Sequence, residues 1–215
     1  MSVCEFKIVQ NHKTIFTIQL IEPNEILLKS LKYLRPSLTG LTINTLFTTA
    51  TFQASSVSTL LEYKNQNIAT YELTLCLIKG LSIQLKSLKN NLNHTFYEYN
   101  PSNVILIDST QFIYMSSSHL ICLDQNKTIT FNFPFEKSEF SAPEILNIYS
   151  LPTTICDRAS YYSLGILTIY CLLSLIPRNE IEIKEALIPI NQTKIYWFLL
   201  KVLDKDSSKR VILFI

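Results

Sequence analysis

The 215 residues are 47% hydrophobic and only 17% charged, with a formal net charge of +2. That balance calls for a buried core, argues against a disordered chain, and gives no electrostatic case for a nucleic-acid or membrane-surface partner. The three glycines, Gly40, Gly80 and Gly165, stand too far apart for a glycine-rich phosphate loop, and no G-x-S-x-G turn occurs, which removes most nucleotide-loop enzymes and esterase-like hydrolases.

Two β-like runs, FKIVQ and TIFTIQLI, flank a polar turn at Asn11–Lys13. Pro23 and Asn24 open a helical pattern with Leu27, Leu28, Leu31 and Leu34 on one face and Pro36 as its stop. Residues 41–63 read as strands, with SVSTLLEY the last of them, and residues 64–69 as a polar connector. From Thr70 a long helix follows, because Leu73, Leu77, Leu81, Leu85, Leu88 and Leu92 form one stripe. Two short strands, NVILI and QFIYM, join through Asp108–Thr110, HLICL comes next, and residues 124–142 read as a long polar loop. The run from Tyr161 to Ile176 is uncharged and falls just short of a membrane span, so it is expected to be a central buried helix. Ile195, Leu199, Val202 and Leu203 share one face of a last helix. The expected class is α+β: a strand-rich first part with one helix, then a larger helical part, the seam near Glu62–Lys64, with no internal repeat.

Cys4, Cys76, Cys122, Cys156 and Cys171 are odd in number and widely spaced, without a C-x-x-C pair. They read as reduced thiols of an intracellular protein, cytoplasmic or nuclear, rather than as a zinc or redox site. The opening residues hold no apolar core of signal-peptide length, and the sequons at Asn93, Asn126 and Asn191 read as chance matches.

Four short motifs in the second half, in order, resemble the eukaryotic protein kinase family. Asn100-Pro101-Ser102-Asn103-Val104-Ile105-Leu106 is similar to the end of the catalytic loop, K-P-x-N-I-L-L. Ser141-Ala142-Pro143-Glu144 is similar to the A-P-E close of the activation segment. Ser160-Tyr161-Tyr162-Ser163-Leu164-Gly165 is similar to the D-x-W/Y-S-L-G start of the central helix. Leu203 to Arg210 is similar to L-x-x-D-P-x-x-R. The resemblance covers residues 96–210. It implies a bilobed fold with a reduced N-lobe at 1–62 and a mainly helical C-lobe at 63–215, Glu62–Lys64 becoming the hinge.

Phosphoryl transfer needs a phosphate-binding lysine, magnesium ligands, a catalytic aspartate and a glycine-rich loop. The resemblance places Phe96, Tyr97 and Glu98 at the H-R-D positions, so the aspartate is Glu98, one methylene longer. The metal-binding aspartate of D-F-G becomes Ser116, whose neutral hydroxyl cannot replace a carboxylate beside a polyphosphate. Asp108 and Asp124 are the nearest aspartates. The lysine position falls on Gln19, with Lys7 and Lys13 as alternative registers, and Glu25 is the candidate helix carboxylate. Asn103 is the one remnant among the metal-binding positions. Glu144 and Arg210 match the family's buried ion pair, Ser160 stands where the central-helix aspartate would bond the catalytic-loop backbone, and Phe96 is expected to fill an apolar spine. The resemblance thus implies a pseudokinase: no catalytic, cofactor-binding or metal residues, no ATP or magnesium, and a role as scaffold or allosteric regulator for a protein partner such as an active kinase or a larger complex. The alternative is a residual ATP binder or weak serine/threonine kinase. Thr128, Thr130, Ser138 and Ser141 read as a solvated loop, since Tyr97 replaces the arginine that would receive a phosphate there. Lys86, Lys89 and His94 read as charges complementing a helix end. Phe131, Phe133 and Phe135 read equally as a docking element or as packing.

Overall fold

The structure, a computed structural model, describes residues 5–34 and 38–213. The expected helix stop at Pro36 and the cysteine at position 4 lie outside them. β1 (Phe6–His12) and β2 (Ile15–Leu20) form a hairpin. With β3 (Thr42–Ile43) and β4 (Thr49–Gln53) they make an antiparallel sheet in the order β1-β2-β4-β3. Alternation along β2 turns Phe16, Ile18 and Leu20 inward. α1 (Glu25–Lys32) starts where the Asn24 side chain accepts the Leu27 N–H at 2.8 Å. Its buried Leu27, Leu28 and Leu31 join the inward face of β2 in one core.

The chain leaves this sheet at residues 54–56, where the Asp108 carboxylate accepts the N–H groups of Ser55 (2.6 Å) and Ser56 (2.9 Å). β5 (Val57–Thr59) belongs to a second sheet, pairing with β7 (Val104–Ile107), which pairs with β8 (Gln111–Tyr114). The strand expected through Tyr63 therefore ends at Thr59. The reason is a capping box: the Thr59 hydroxyl accepts the Glu62 N–H and the Glu62 carboxylate accepts the Thr59 N–H, opening α2 (Leu60–Gln66). Glu62–Lys64 is thus helical. Lys64 reaches from α2 to the carbonyls of Tyr170 (3.0 Å) and Cys171 (2.7 Å) and the Ser174 hydroxyl (2.6 Å).

α3 (Tyr71–Ser87) carries the leucine stripe and runs through a π-helical turn, Leu88–Leu92, to a left-handed Asn93. Leu73, Leu77, Leu81, Leu85 and Leu88 are buried as the periodicity requires. The helix lies against β8: a Cβ on Gly80 would sit 2.7 Å from the Phe112 carbonyl oxygen. β6 (His94–Phe96) pairs with β9 (Leu120–Cys122). Residues 124–142 are not one long loop, because β10 (Thr128–Phe131) pairs antiparallel with β11 (Thr153–Cys156). α4 (Pro143–Leu146), α5 (Ala159–Leu173), α6 (Glu180–Leu187) and α7 (Lys194–Val202) complete the order. α5 is the uncharged helix, and Leu164, Ile166, Leu167, Ile169 and Cys171 are buried within the main core. Among the described residues no helix is long and apolar enough to cross a membrane. The architecture is mixed α+β with small antiparallel sheets.

A serine cradle and a braced carboxylate form the candidate functional site

Asn103 ends a short 3₁₀ turn before β7, and Ser116 follows β8. The β7–β8 pairing brings them together, and the Met115 N–H donates to the Asn103 carbonyl at 2.8 Å. Ser116 is fully buried. Its hydroxyl donates at 2.7 Å to the carboxylate of Glu5, the residue just ahead of β1. The same carboxylate accepts from the Ser118 hydroxyl (2.7 Å), the N–H groups of Ser117 (2.5 Å) and Ser118 (3.0 Å), and the Asn103 amide (3.3 Å). The position expected to hold a metal-binding carboxylate is therefore a set of donors closed around an anion.

Glu98 is only 1% exposed. One carboxylate oxygen accepts the Ser138 hydroxyl at 2.5 Å and the other accepts the Ser141 hydroxyl. These serines are thus not the solvated loop that the sequence suggests: Ser141 is buried, and both tie the 138–141 segment to Glu98. Asp108 and Asp124 serve turns. The Asp124 carboxylate accepts from Asn126 and Thr128, and these bonds hold it below the usual carboxylate range.

Phe96 is buried edge-on to Tyr99 (centroids 5.8 Å apart) and Tyr114 (4.8 Å). Next to that cluster, His119 faces the Tyr114 hydroxyl at 2.5 Å and gives its backbone N–H to Ser116 at 3.3 Å. Burial lowers the His119 pKa below its ordinary 6.5, against the raising effect of Glu98, Glu5 and Glu136. The imidazole is then neutral in the fold while the unfolded chain protonates it. The unfolded state binds more protons, so His119's contribution to stability is complete above about pH 6.5 and is lost as the pH falls below it. In pH-dependent urea unfolding, His119→Asn is expected to flatten the decline just below that pH; an unchanged decline would refute a neutral His119.

Other expected pairings divide. Gln19 is exposed on β2, opposite Lys7 and Thr49, while Lys7 and Lys13 are exposed as well. Glu25 pairs with Lys29 at 2.5 Å, one turn along α1. The residues of β2 that face inward are all apolar, and Gln19 stands on the opposite face. Ser160 bonds the Asp157 carbonyl at 2.8 Å, within its own turn; Ser163, one helical turn on, accepts the Tyr99 N–H at 2.8 Å and anchors the loop. Glu144 and Arg210 meet in two bonds of 2.5 and 3.0 Å, Arg210 being fully buried. Lys89 pairs with Asp157 at 2.8 Å and His94 lies in β6. The three phenylalanines split: Phe131 is buried and stacks on Phe135 with centroids 4.0 Å apart, whereas Phe133 is 79% exposed. Glu5 and His119 carried no sequence pattern that would single them out, while Ser117 and Ser118 stood beside Ser116, and Ser163 within the central-helix motif, without a role of their own. No protein-family model matches the chain, and no curated protein matches it.

Proposed function

We propose that the chain is a protein-kinase-like domain without kinase chemistry, acting inside the cell by binding a protein partner, as a scaffold or allosteric regulator of an active kinase or a larger complex. The observation that carries this reading is the polarity of the cradle. A magnesium ion beside a polyphosphate requires negatively charged oxygens. Asn103, Ser116, Ser117 and Ser118 instead present hydroxyl, amide and backbone hydrogens to the carboxylate of Glu5. These residues do not fit the metal. Glu98, at the catalytic position, has both oxygens engaged and almost no exposure, so it is not placed to take a proton from a substrate hydroxyl. The order of elements supports the bilobed reading: a small sheet with one helix, then a larger helical part in which paired strands follow Asn103. Exposed Phe133 beside a groove of about 500 Å³, lined by Tyr97, Leu120 and Phe135, suits a partner surface.

A thermal-shift titration with ATP, with and without Mg²⁺, tests the reading. A ligand at one hundred times its Kd adds ~2.7 kcal/mol, equivalent to a rise of roughly 5–10 °C for a chain of this size. The expected result is no shift at millimolar ATP in either condition. A magnesium-dependent rise would overturn the reading in favour of a nucleotide-binding or weakly active kinase.

A further inference from the structure

Five donors from two segments hold one side chain. Glu5 Oε1 accepts from the hydroxyls of Ser116 and Ser118, each at 2.7 Å, and from Asn103 Nδ2 at 3.3 Å. Oε2 accepts from the backbone N–H groups of Ser117 (2.5 Å) and Ser118 (3.0 Å). Two successive N–H groups aimed at one oxygen make a concave anion site. The hydroxyls and the amide then complete it around the second oxygen. Hydrogen bonds to an ionised acceptor are about twice as strong as those between neutral groups. The shape is specific: donors converge on two points, as the oxygens of a planar carboxylate present them, and no metal is needed to balance the charge. The cradle also has an open side, for Ser116 is fully buried while Ser118 is exposed and Glu5 half-buried. Glu5 approaches from the end of β1, an edge strand, and strand ends at a sheet edge are where a chain most readily opens.

We propose that Asn103 and Ser116–Ser118 form a carboxylate receptor, occupied in cis by Glu5 and open, once Glu5 withdraws, to a carboxylate supplied from outside the chain. The ligand class is a monocarboxylate, either a small free acid or an Asp, Glu or C-terminal group of a protein. In its closed state the receptor fastens the first sheet to the β7–β8 hairpin. The same donors surround Glu5 whatever family the chain belongs to, so this receptor and the absence of ATP binding are tested separately.

The experiment uses the full chain and acetate as the probe. Glu5→Ala should lower the melting temperature by about 4–8 °C, the loss of several charge-assisted bonds. Acetate at about 0.1 M, with ionic strength held constant by chloride so that screening does not change, should restore at least half of that loss. It should leave the wild-type chain unmoved. Adding Ser116→Ala and Ser118→Ala to Glu5→Ala should abolish the rescue. An equal response of wild type and Glu5→Ala, or no response of Glu5→Ala, would overturn the receptor. A stronger response to inorganic phosphate than to acetate would overturn the carboxylate assignment. Hydrogen exchange on the wild type keeps the test open if Glu5→Ala does not fold. The Ser117 and Ser118 amides should exchange at least about tenfold more slowly than unstructured peptide, and exchange at the peptide rate would sink the closed state.

Discussion

Glu144→Gln is expected to destabilise the fold by about 3–5 kcal/mol, because it leaves a buried guanidinium without its counter-charge. Arg210 is the largest fully buried side chain. Its two Nη atoms donate to the two Glu144 oxygens at 2.5 and 3.0 Å, its Nε donates to the Asp204 carbonyl at 2.8 Å, and its Cζ lies 5.0 Å from the centre of the Tyr162 ring. Glutamine keeps the shape of glutamate but removes the charge and turns one acceptor into a donor facing a donor. Backbone carbonyls and an aromatic ring cannot replace that charge around a fully buried guanidinium. Total stabilities of ~5–15 kcal/mol make this a fifth or more of what holds the protein folded. The melting temperature should fall by roughly 6–20 °C. The double variant Glu144→Leu with Arg210→Met should recover most of the loss, since replacing both partners by apolar groups removes the desolvation cost along with the attraction. Urea unfolding of the three chains checks this. A loss under about 1 kcal/mol for Glu144→Gln would mean that the guanidinium finds water, and the claim that Arg210 depends on Glu144 for its counter-charge would fall.

The stripe from Leu73 to Leu88 was legible because a helix repeats its buried face within a few residues, and local spacing carries that information. Alternation along β2 identifies a strand, but which of its residues meet α1 depends on how that helix docks, and no local spacing encodes that. Thr59-x-x-Glu62 is a helix-start signal written in the sequence. It was masked by the β-branched run before it, which also fits a strand. β11 had no such signal, since its pairing with β10 joins residues across a long connection. The cradle was legible only as a deficit. The triple serine could be read as a missing metal ligand, but not as an anion site, because its ligand, Glu5, lies 111 residues before Ser116. Contacts of that separation follow from the completed fold, and no local spacing encodes them.

Gln84→Met should cost about 2–4 kcal/mol although it preserves side-chain volume and apolar packing. Gln84 lies on α3 one turn beyond Gly80, where the helix comes closest to β8, and it is fully buried. Its Oε1 accepts the Tyr114 N–H at 2.7 Å and its Nε2 donates to the Tyr114 carbonyl at 2.9 Å. β8 is the outer strand of its sheet, so these backbone groups face away from β7 with no further strand beyond. The glutamine amide supplies both partners, as a residue of an additional strand would. Methionine can supply neither, and each buried group left unpaired costs ~1–3 kcal/mol. The Ser30 hydroxyl, which accepts from Nε2 at 3.3 Å and donates to the Leu27 carbonyl at 2.6 Å, makes the weaker contact. Ser30→Ala should therefore cost less than half as much. β8 runs directly into Met115 and Ser116, so loosening its end also loosens the cradle around Glu5. Hydrogen exchange should show faster opening at Tyr114 together with Ser117 in Gln84→Met, and at neither site in Ser30→Ala. If Gln84→Met stays within about 1 kcal/mol of wild type and Tyr114 keeps its protection, the amide does not complete the strand, and the rigidity of the cradle must come from the β7–β8 pairing alone.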